Sequence, residues 1–438
     1  MTVFNKISSC THLFVSLSLS KAKNRFCLLL LMLIGFALKA QHNPHLLPEK
    51  SFVVYDSSYI HFYNDSSNFN TFFKKLDNLI FNGEGKINVM QIGGSHIQAD
   101  IWSNKMRTNF QTLSPNLNGG RGFLFPYRVA HTNNPYYYRM KTDAEWEGFR
   151  NSVMKHHSKW GVSGITATTR DSSANLRFYF RGDDTPYYDF NSIKIFHDID
   201  SNYCMEIITD TCSSIAVNKE IGYTEFTFDH HIDSFTLNLY REDTIPSQFN
   251  LYGVSLDNDD PGIVYNSIGV NGASTKSYLR CEMFSQHLQA IPPDLVIFCI
   301  GINDAYDPDF CEACYEDNYD KLIEWVKSVN PDADFLFVTN NDSYYKRRYP
   351  NKRVEKARQA MINLAKKHKG GLWDMYHVMG GLGSINTWVK HGHAKRDKIH
   401  LTAAGYNLMG DLMFSAIIKK YDEYLAHPFP PKGRENNQ

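Results

Sequence analysis

The sequence predicts an α/β fold with a parallel sheet, interrupted by an all-β sandwich. Three observations lead there. From Lys86 onward, apolar strand-like runs alternate with helical runs that are apolar on one face only, the pattern of a parallel sheet with helices on both sides. That rhythm stops near Asn134 and returns near Gly262, and the stretch between holds short aromatic and β-branched segments separated by turn residues, as in a sandwich. The chain has 438 residues, 42% of them hydrophobic and 21% charged, enough for one large or two to three ordinary domains with real cores.

Taken in order, residues 1–40 read as a secretory signal. Lys21, Lys23 and Arg25 precede the apolar run Phe26–Leu38, and the small residue Ala40 marks cleavage before Gln41. The run is short for a membrane span, so an uncleaved anchor is the weaker alternative. The expected product is exported, periplasmic or secreted. Residues 41–84 form a lead-in rich in Asn, Ser and Tyr that closes on the amphipathic stretch FFKKLDNLIF. The first part of the α/β domain (85–133) opens with the strand KINVMQI, followed by a helix with Trp102, Met106, Phe110 and Leu113 on one face.

The inserted sandwich (134–260) contains the strand-like runs LRFYF, SIKIFHD, CMEIIT, EFTFDH and SFTLNLY. The second part of the α/β domain (261–426) supplies the strands GIVYNSIGV, DLVIFCIG and DFLFVT. Its helices include one around Tyr319–Val326, one carrying Val354, Ala357, Met361 and Leu364 on a single face and stopped at Gly370, and a last one after HLTAAGY. The tail 427–438 is polar and Pro-rich and carries no packing signal.

Formal net charge is zero, which removes any general attraction to nucleic acid or anionic membranes. Export would leave Cys204, Cys212, Cys281, Cys299, Cys311 and Cys314, an even number in an oxidising compartment. Cys204 and Cys212 are spaced to bridge a hairpin, and Cys311 and Cys314 in CEAC to bridge a turn. A lone CxxC without a second pair favours a structural role or free thiols over zinc or redox chemistry.

Open parallel sheets build their sites in the loops at the carboxyl ends of strands. Four such places hold chemically capable residues: Ser95 after the first strand, Gly272 after GIVYNSIGV, Asn303 after DLVIFCIG, and Asp397 with His400 before the last helix. A serine hydroxyl is a weak nucleophile until a base takes its proton. His400 can be that base, and Asp397, three residues earlier, can fix its tautomer and stabilise the imidazolium. Backbone N–H groups of Ser95 and Gly272, with the Asn303 amide, can serve as an oxyanion hole. Each residue also has a plain structural role open to it. Ser95 can cap the following helix, His400 can be a satisfied structural histidine, Asn303 can belong to a turn, and Gly269 competes with Gly272.

Ser, Gly, Asn and His in four ordered blocks, the last reading DKIHLT, resemble the SGNH/GDSL hydrolases over roughly 85–130 and 261–425. The resemblance implies a flavodoxin-like sandwich and ester hydrolysis through an acyl-serine. In it Ser95 is the nucleophile, Gly272 and Asn303 complete the oxyanion hole, and Asp397 and His400 complete the triad. The chain departs from the family at Gly94, where an Asp usually precedes the serine. The stretches GGSHIQAD and GGRGFLFPYRVAHTNN, followed by the β-rich insertion, are also similar to peptidoglycan O-acetylesterases, in which a carbohydrate-binding-module-like domain interrupts the hydrolase domain. That implies an acetylated glycan as substrate, no cofactor, no metal, no nucleic acid and no obligatory protein partner. A glycan O-acetyltransferase using the same triad, or a non-catalytic glycan-binding protein, are the competing readings.

Two further residues are candidate substrate contacts: His96 beside the serine, for which packing is the competing account, and Arg121 in the loop Gly119-Gly120-Arg121-Gly122. That loop lacks the lysine pattern of a phosphate loop. His391 and His393 read as surface loop residues, and the runs Tyr136–Tyr138 and Tyr187–Tyr188 suit either sugar stacking or strand packing.

Overall fold

The computed structural model describes residues 43–63, 69–181, 186–208, 210–241 and 247–426. The signal reading at 1–40 and the tail at 427–438 lie outside them. A six-stranded sheet is made of β1 (Ile60–Phe62), β2 (Lys86–Gly93), β3 (Gly262–Gly269), β4 (Leu295–Cys299), β5 (Asp334–Val338) and β6 (Gly371–Trp373), in the spatial order β3-β2-β4-β5-β6-β1. All neighbours are parallel except β1, which runs antiparallel to β6.

Side chains alternate across a strand, so β2 sends Ile87 and Val89 into one core and Met90 and Ile92 into the other. β4 does the same with Leu295 and Ile297 against Val296 and Phe298. Both faces are covered, which is why these strands read as unbroken apolar runs. On one face lie α2 (Ile101–Gln111) and α5 (Ala403–Ala426), with Trp102, Met106 and Phe110 packed among Leu408, Met409 and Leu412. On the other lie α3 (Glu312–Val329) and α4 (Arg353–Lys367), the latter burying the expected Val354, Ala357, Met361 and Leu364. Full burial of such a side chain stabilises by about 1.5–3 kcal/mol. The lead-in is part of this domain: it supplies the edge strand β1, and α1 (Asn70–Asn82) buries Phe72, Phe73, Leu76 and Leu79.

The β-rich stretch forms a seven-stranded and a four-stranded sheet whose facing side chains share one core. Phe190 of the first meets Phe235 of the second edge-to-face at 6.1 Å. The expected runs become strands at Ser173–Phe180, Phe190–His197, Cys204–Ile207, Tyr223–Ile232 and Ser234–Tyr240. The strand Phe249–Asp257, central to the larger sheet, carried no alternation to reveal it, because eight of its nine residues are buried. Gly122–Leu124, which the sequence placed in the α/β part, pairs antiparallel with Leu256–Val254. The preceding glycines have a packing reason: a Cβ on Gly119 would stand 2.7 Å from the carbonyl carbon of Gly262, so the two backbones meet only without side chains.

Cys311 and Cys314 form a disulfide at the start of α3, whereas Cys204 and Cys212 are free thiols, so the expected hairpin bridge is absent among the described residues. No helix of the described residues is long and apolar enough to cross a membrane.

Candidate active site

β2 ends at Gly93, the chain turns at Gly94, and Ser95 opens the short helix Ser95–Gln98. The Gly94 carbonyl accepts the N–H groups of Ile97 (3.1 Å) and Gln98 (3.0 Å), so Gly94 occupies the cap position. The Ser95 hydroxyl is therefore not a cap. Its Oγ lies 2.8 Å from Nε2 of His400.

His400 sits in the loop leading into α5, and its Nδ1 lies 2.9 Å from Oδ2 of Asp397. The other carboxylate oxygen accepts the backbone N–H groups of Ile399 and His400, each at 3.0 Å. Partial burial pushes the Asp397 carboxyl up, but the hydrogen bonds from His400 and Ile399 outweigh it and hold the group below the usual carboxylate range. Asp397 is thus an ionised acceptor that fixes the imidazole ring, leaving Nε2 to face the serine.

The loop after β3 carries Gly272 at φ +80°, a left-handed conformation that glycine adopts at least cost. Asn303 lies in the short helix Ile302–Tyr306 after β4, and its Nδ2 donates to the Ala273 carbonyl at 2.8 Å. One amide hydrogen remains for a ligand. Among the described residues, neither Ser95 nor Gly272 spends its backbone N–H on a hydrogen bond. Ser95, Gly272, Asn303, Asp397 and His400 all line one open cleft of about 650 Å³. Gly269, the competing glycine, ends β3 instead, and its carbonyl accepts the Tyr127 hydroxyl.

Two residues that sequence reasoning missed brace this loop. Asp304 accepts the Thr275 N–H at 3.1 Å to each oxygen and the Thr275 hydroxyl at 2.6 Å. Burial pushes its carboxyl up to about 6. Fully buried Gln98 accepts the Asn271 N–H at 2.7 Å and donates to the Asn133 carbonyl at 3.0 Å, tying the loop to the chain that enters the insertion. The only sequence signal for either was a polar residue close to a candidate site residue.

The two candidate substrate contacts do not reach the cleft. His96 is 5% exposed, lies 2.6 Å through Nδ1 from the Tyr406 hydroxyl and packs against the His400 ring at 5.3 Å. Burial lowers its pKa to about 3, so it is a neutral packing residue. Arg121 is buried against Asp100 (2.9 Å), which also pairs with buried Arg107 (3.0 Å). An internal ion cluster, not a ligand, explains it. His391 stacks on Phe52 at 4.6 Å, in keeping with a loop role.

A hydrogen-bonded serine, histidine and aspartate at the carboxyl edge of a parallel sheet, beside an asparagine amide, is the arrangement anticipated from the SGNH/GDSL resemblance. Residues 233–408 match the family described as GDSL-like Lipase/Acylhydrolase. The match spans Asn303, Asp397 and His400, while Ser95 lies before the insertion. A solved peptidoglycan O-acetylesterase is similar with a TM-score of 0.68 and 19% identity, covering 83% of this chain and 99% of its own. A lipase/acylhydrolase from Enterococcus faecalis (TM-score 0.29, 19% identity) covers 37% of this chain and 77% of its own. An acetyl xylan esterase (TM-score 0.29, 20% identity) covers 36% and 82%. No curated protein sequence matches significantly.

Proposed function

We propose that the protein is an exported esterase that removes O-acetyl groups from a bacterial glycan, peptidoglycan first among the candidates. The observation that carries this is the continuous chain from Ser95 Oγ through His400 to the Asp397 carboxylate, 2.8 Å and 2.9 Å, opening on a cleft with three candidate oxyanion donors. The likeness to a peptidoglycan O-acetylesterase over 83% of the chain supports the choice of substrate. Export rests on the reading of residues 1–40.

The chemistry follows from the geometry. As Ser95 Oγ attacks the acetyl carbonyl carbon, His400 Nε2 takes its proton and the carbonyl π electrons move onto oxygen. The Ser95 and Gly272 N–H groups and the Asn303 amide receive that oxyanion, each such donor contributing about 3–4 kcal/mol. Collapse breaks the bond to the sugar oxygen, which leaves with the proton from His400. Water, deprotonated by His400, then attacks the acetyl-serine, and acetate departs as Ser95 regains its proton. The Asp397 carboxylate stabilises the imidazolium in both halves.

The test is acetate release from O-acetylated peptidoglycan compared with acetylated xylan. Faster release from peptidoglycan, lost in Ser95→Ala, is the expected result. Equal rates on both would remove peptidoglycan as the preferred substrate, and persistence in Ser95→Ala would remove the mechanism.

A further inference from the structure

The catalytic cleft does not end at the hydrolase domain. Ala99, Ile101 and Asn133 line it, and the same three line a second hollow of about 460 Å³ on the insertion. Arg128 and Lys141 of that second hollow also line a third, of about 750 Å³. The three hollows thus adjoin through shared walls, in series from Ser95 to the strand Tyr138–Thr142, and we treat them as one groove.

The groove is strongly basic although the chain carries no net charge. Arg128, Arg139, Lys141 and Arg181 line its second section. None of the four has an ion-pair partner among the described residues, whereas many other cations in the protein do have one. Arg181 lies 4.1 Å over the ring of exposed Tyr136, and its Nε is buried without a hydrogen-bond partner. Among the described residues the acids lining the groove are Asp397 of the triad, in the first section, and Glu145, in the third; the second section holds none. Unpaired cations crowded on one surface cost self-repulsion, which a bound anion relieves. A flat ring between arginines also offers a face to a sugar.

We propose that this groove binds a polyanionic, carboxylate-bearing glycan strand, holding the acetylated sugar over Ser95 while the residues that follow lie on Tyr136, Arg139, Lys141 and Arg181. The inference rests on the esterase reading for its orientation, but not for binding itself. Since Arg139 and Lys141 are exposed to solvent, their contacts are screened by salt.

The experiment uses Ser95→Ala protein, sedimented with peptidoglycan sacculi, and the same protein carrying Arg139→Glu and Lys141→Glu. Arg139 and Lys141 are exposed, and a matching melting curve confirms that the triple variant is folded. The first protein should sediment at low salt and be released as salt rises, and the charge-reversed protein should bind at least about ten-fold more weakly. In the enzyme with Ser95 intact, the ratio of kcat/KM on O-acetylated peptidoglycan to that on a small acetyl ester should fall about ten-fold with the same reversal. Sacculi stripped of stem peptides identify the carboxylates: retained binding assigns them to the sugars, lost binding to the stems. Unchanged binding after charge reversal, or sedimentation insensitive to salt, would overturn the groove. Equally tight, charge-dependent binding of single-stranded DNA would overturn its assignment to a glycan. Salt-dependent binding together with no acetate release by the enzyme with Ser95 intact would remove the esterase reading and leave the groove standing.

Discussion

A Cβ on Gly94 would stand 3.2 Å from Nδ2 of Asn303, the amide proposed to hold the oxyanion, and 3.5 Å from the Ala273 carbonyl to which that amide donates. Glycine at the position before the serine thus leaves room for the Asn303–Ala273 hydrogen bond. Any side chain there must push the amide by some tenths of an ångström. Gly94→Ala should lower kcat on a small acetyl ester by up to about ten-fold with little change in KM, and Gly94→Asp by about a hundred-fold, the scale of losing one oxyanion donor. Steady-state kinetics of the two variants check this, and wild-type kcat in Gly94→Asp would contradict it.

Asp397 is expected to act only by holding His400. Asp397→Asn keeps the shape but replaces an ionised acceptor at Nδ1 with an amide that can impose the wrong tautomer. The expected loss in kcat is about 10³- to 10⁴-fold, with the melting temperature near that of wild type. A loss below ten-fold would mean that His400 does not need its carboxylate.

The buried cluster of Asp100, Arg107 and Arg121 gives a stability prediction. The three side chains are 2%, 0% and 3% exposed, and the single carboxylate serves both guanidinium groups. Asp100→Ala strands two buried cations and should destabilise by about 3–5 kcal/mol, read from urea unfolding. A change below about 1 kcal/mol would show that water reaches the cluster.

Acid should weaken the fold through buried imidazoles. Burial lowers the pKa of His287, packed against Phe196 (4.9 Å) and Tyr252 (5.7 Å), to about 3. A histidine unfolds into water at about 6.5, so the unfolded chain binds the extra proton. The stabilising contribution is complete above pH 6.5 and is lost progressively as pH falls toward 3. At pH 5 it has fallen by about 2 kcal/mol. His287→Phe keeps a ring in place and removes the titration, so its stability should change less than that of wild type between pH 7.5 and 5. Parallel curves for the two proteins would contradict the assignment.

The parallel sheet and the five residues that line the cleft were legible because they depend on local pattern. Apolar runs ended in glycine, and polar residues sat just past them. What escaped was set by tertiary contact. Phe249–Asp257 showed no period because both of its faces are buried, and β1 is three residues on a sheet edge. Arg121 looked like a ligand contact because its partner, Asp100, lies 21 residues back in the chain. Cys204 and Cys212 fitted a hairpin spacing, but both are free thiols. The basic groove could not be read, since Arg181 lies far along the chain from Arg128, Arg139 and Lys141 and joins them only when the strands Tyr138–Thr142 and Ser173–Phe180 pair.

The central claim is that Ser95 is an acylated nucleophile driven by His400. It is tested most directly by intact-protein and peptide mass spectrometry after treatment with an activated phosphonate. The account predicts one adduct per chain, on the peptide containing Ser95, absent in Ser95→Ala and formed far more slowly in His400→Ala. No adduct on Ser95 in a folded protein that still releases acetate would contradict it.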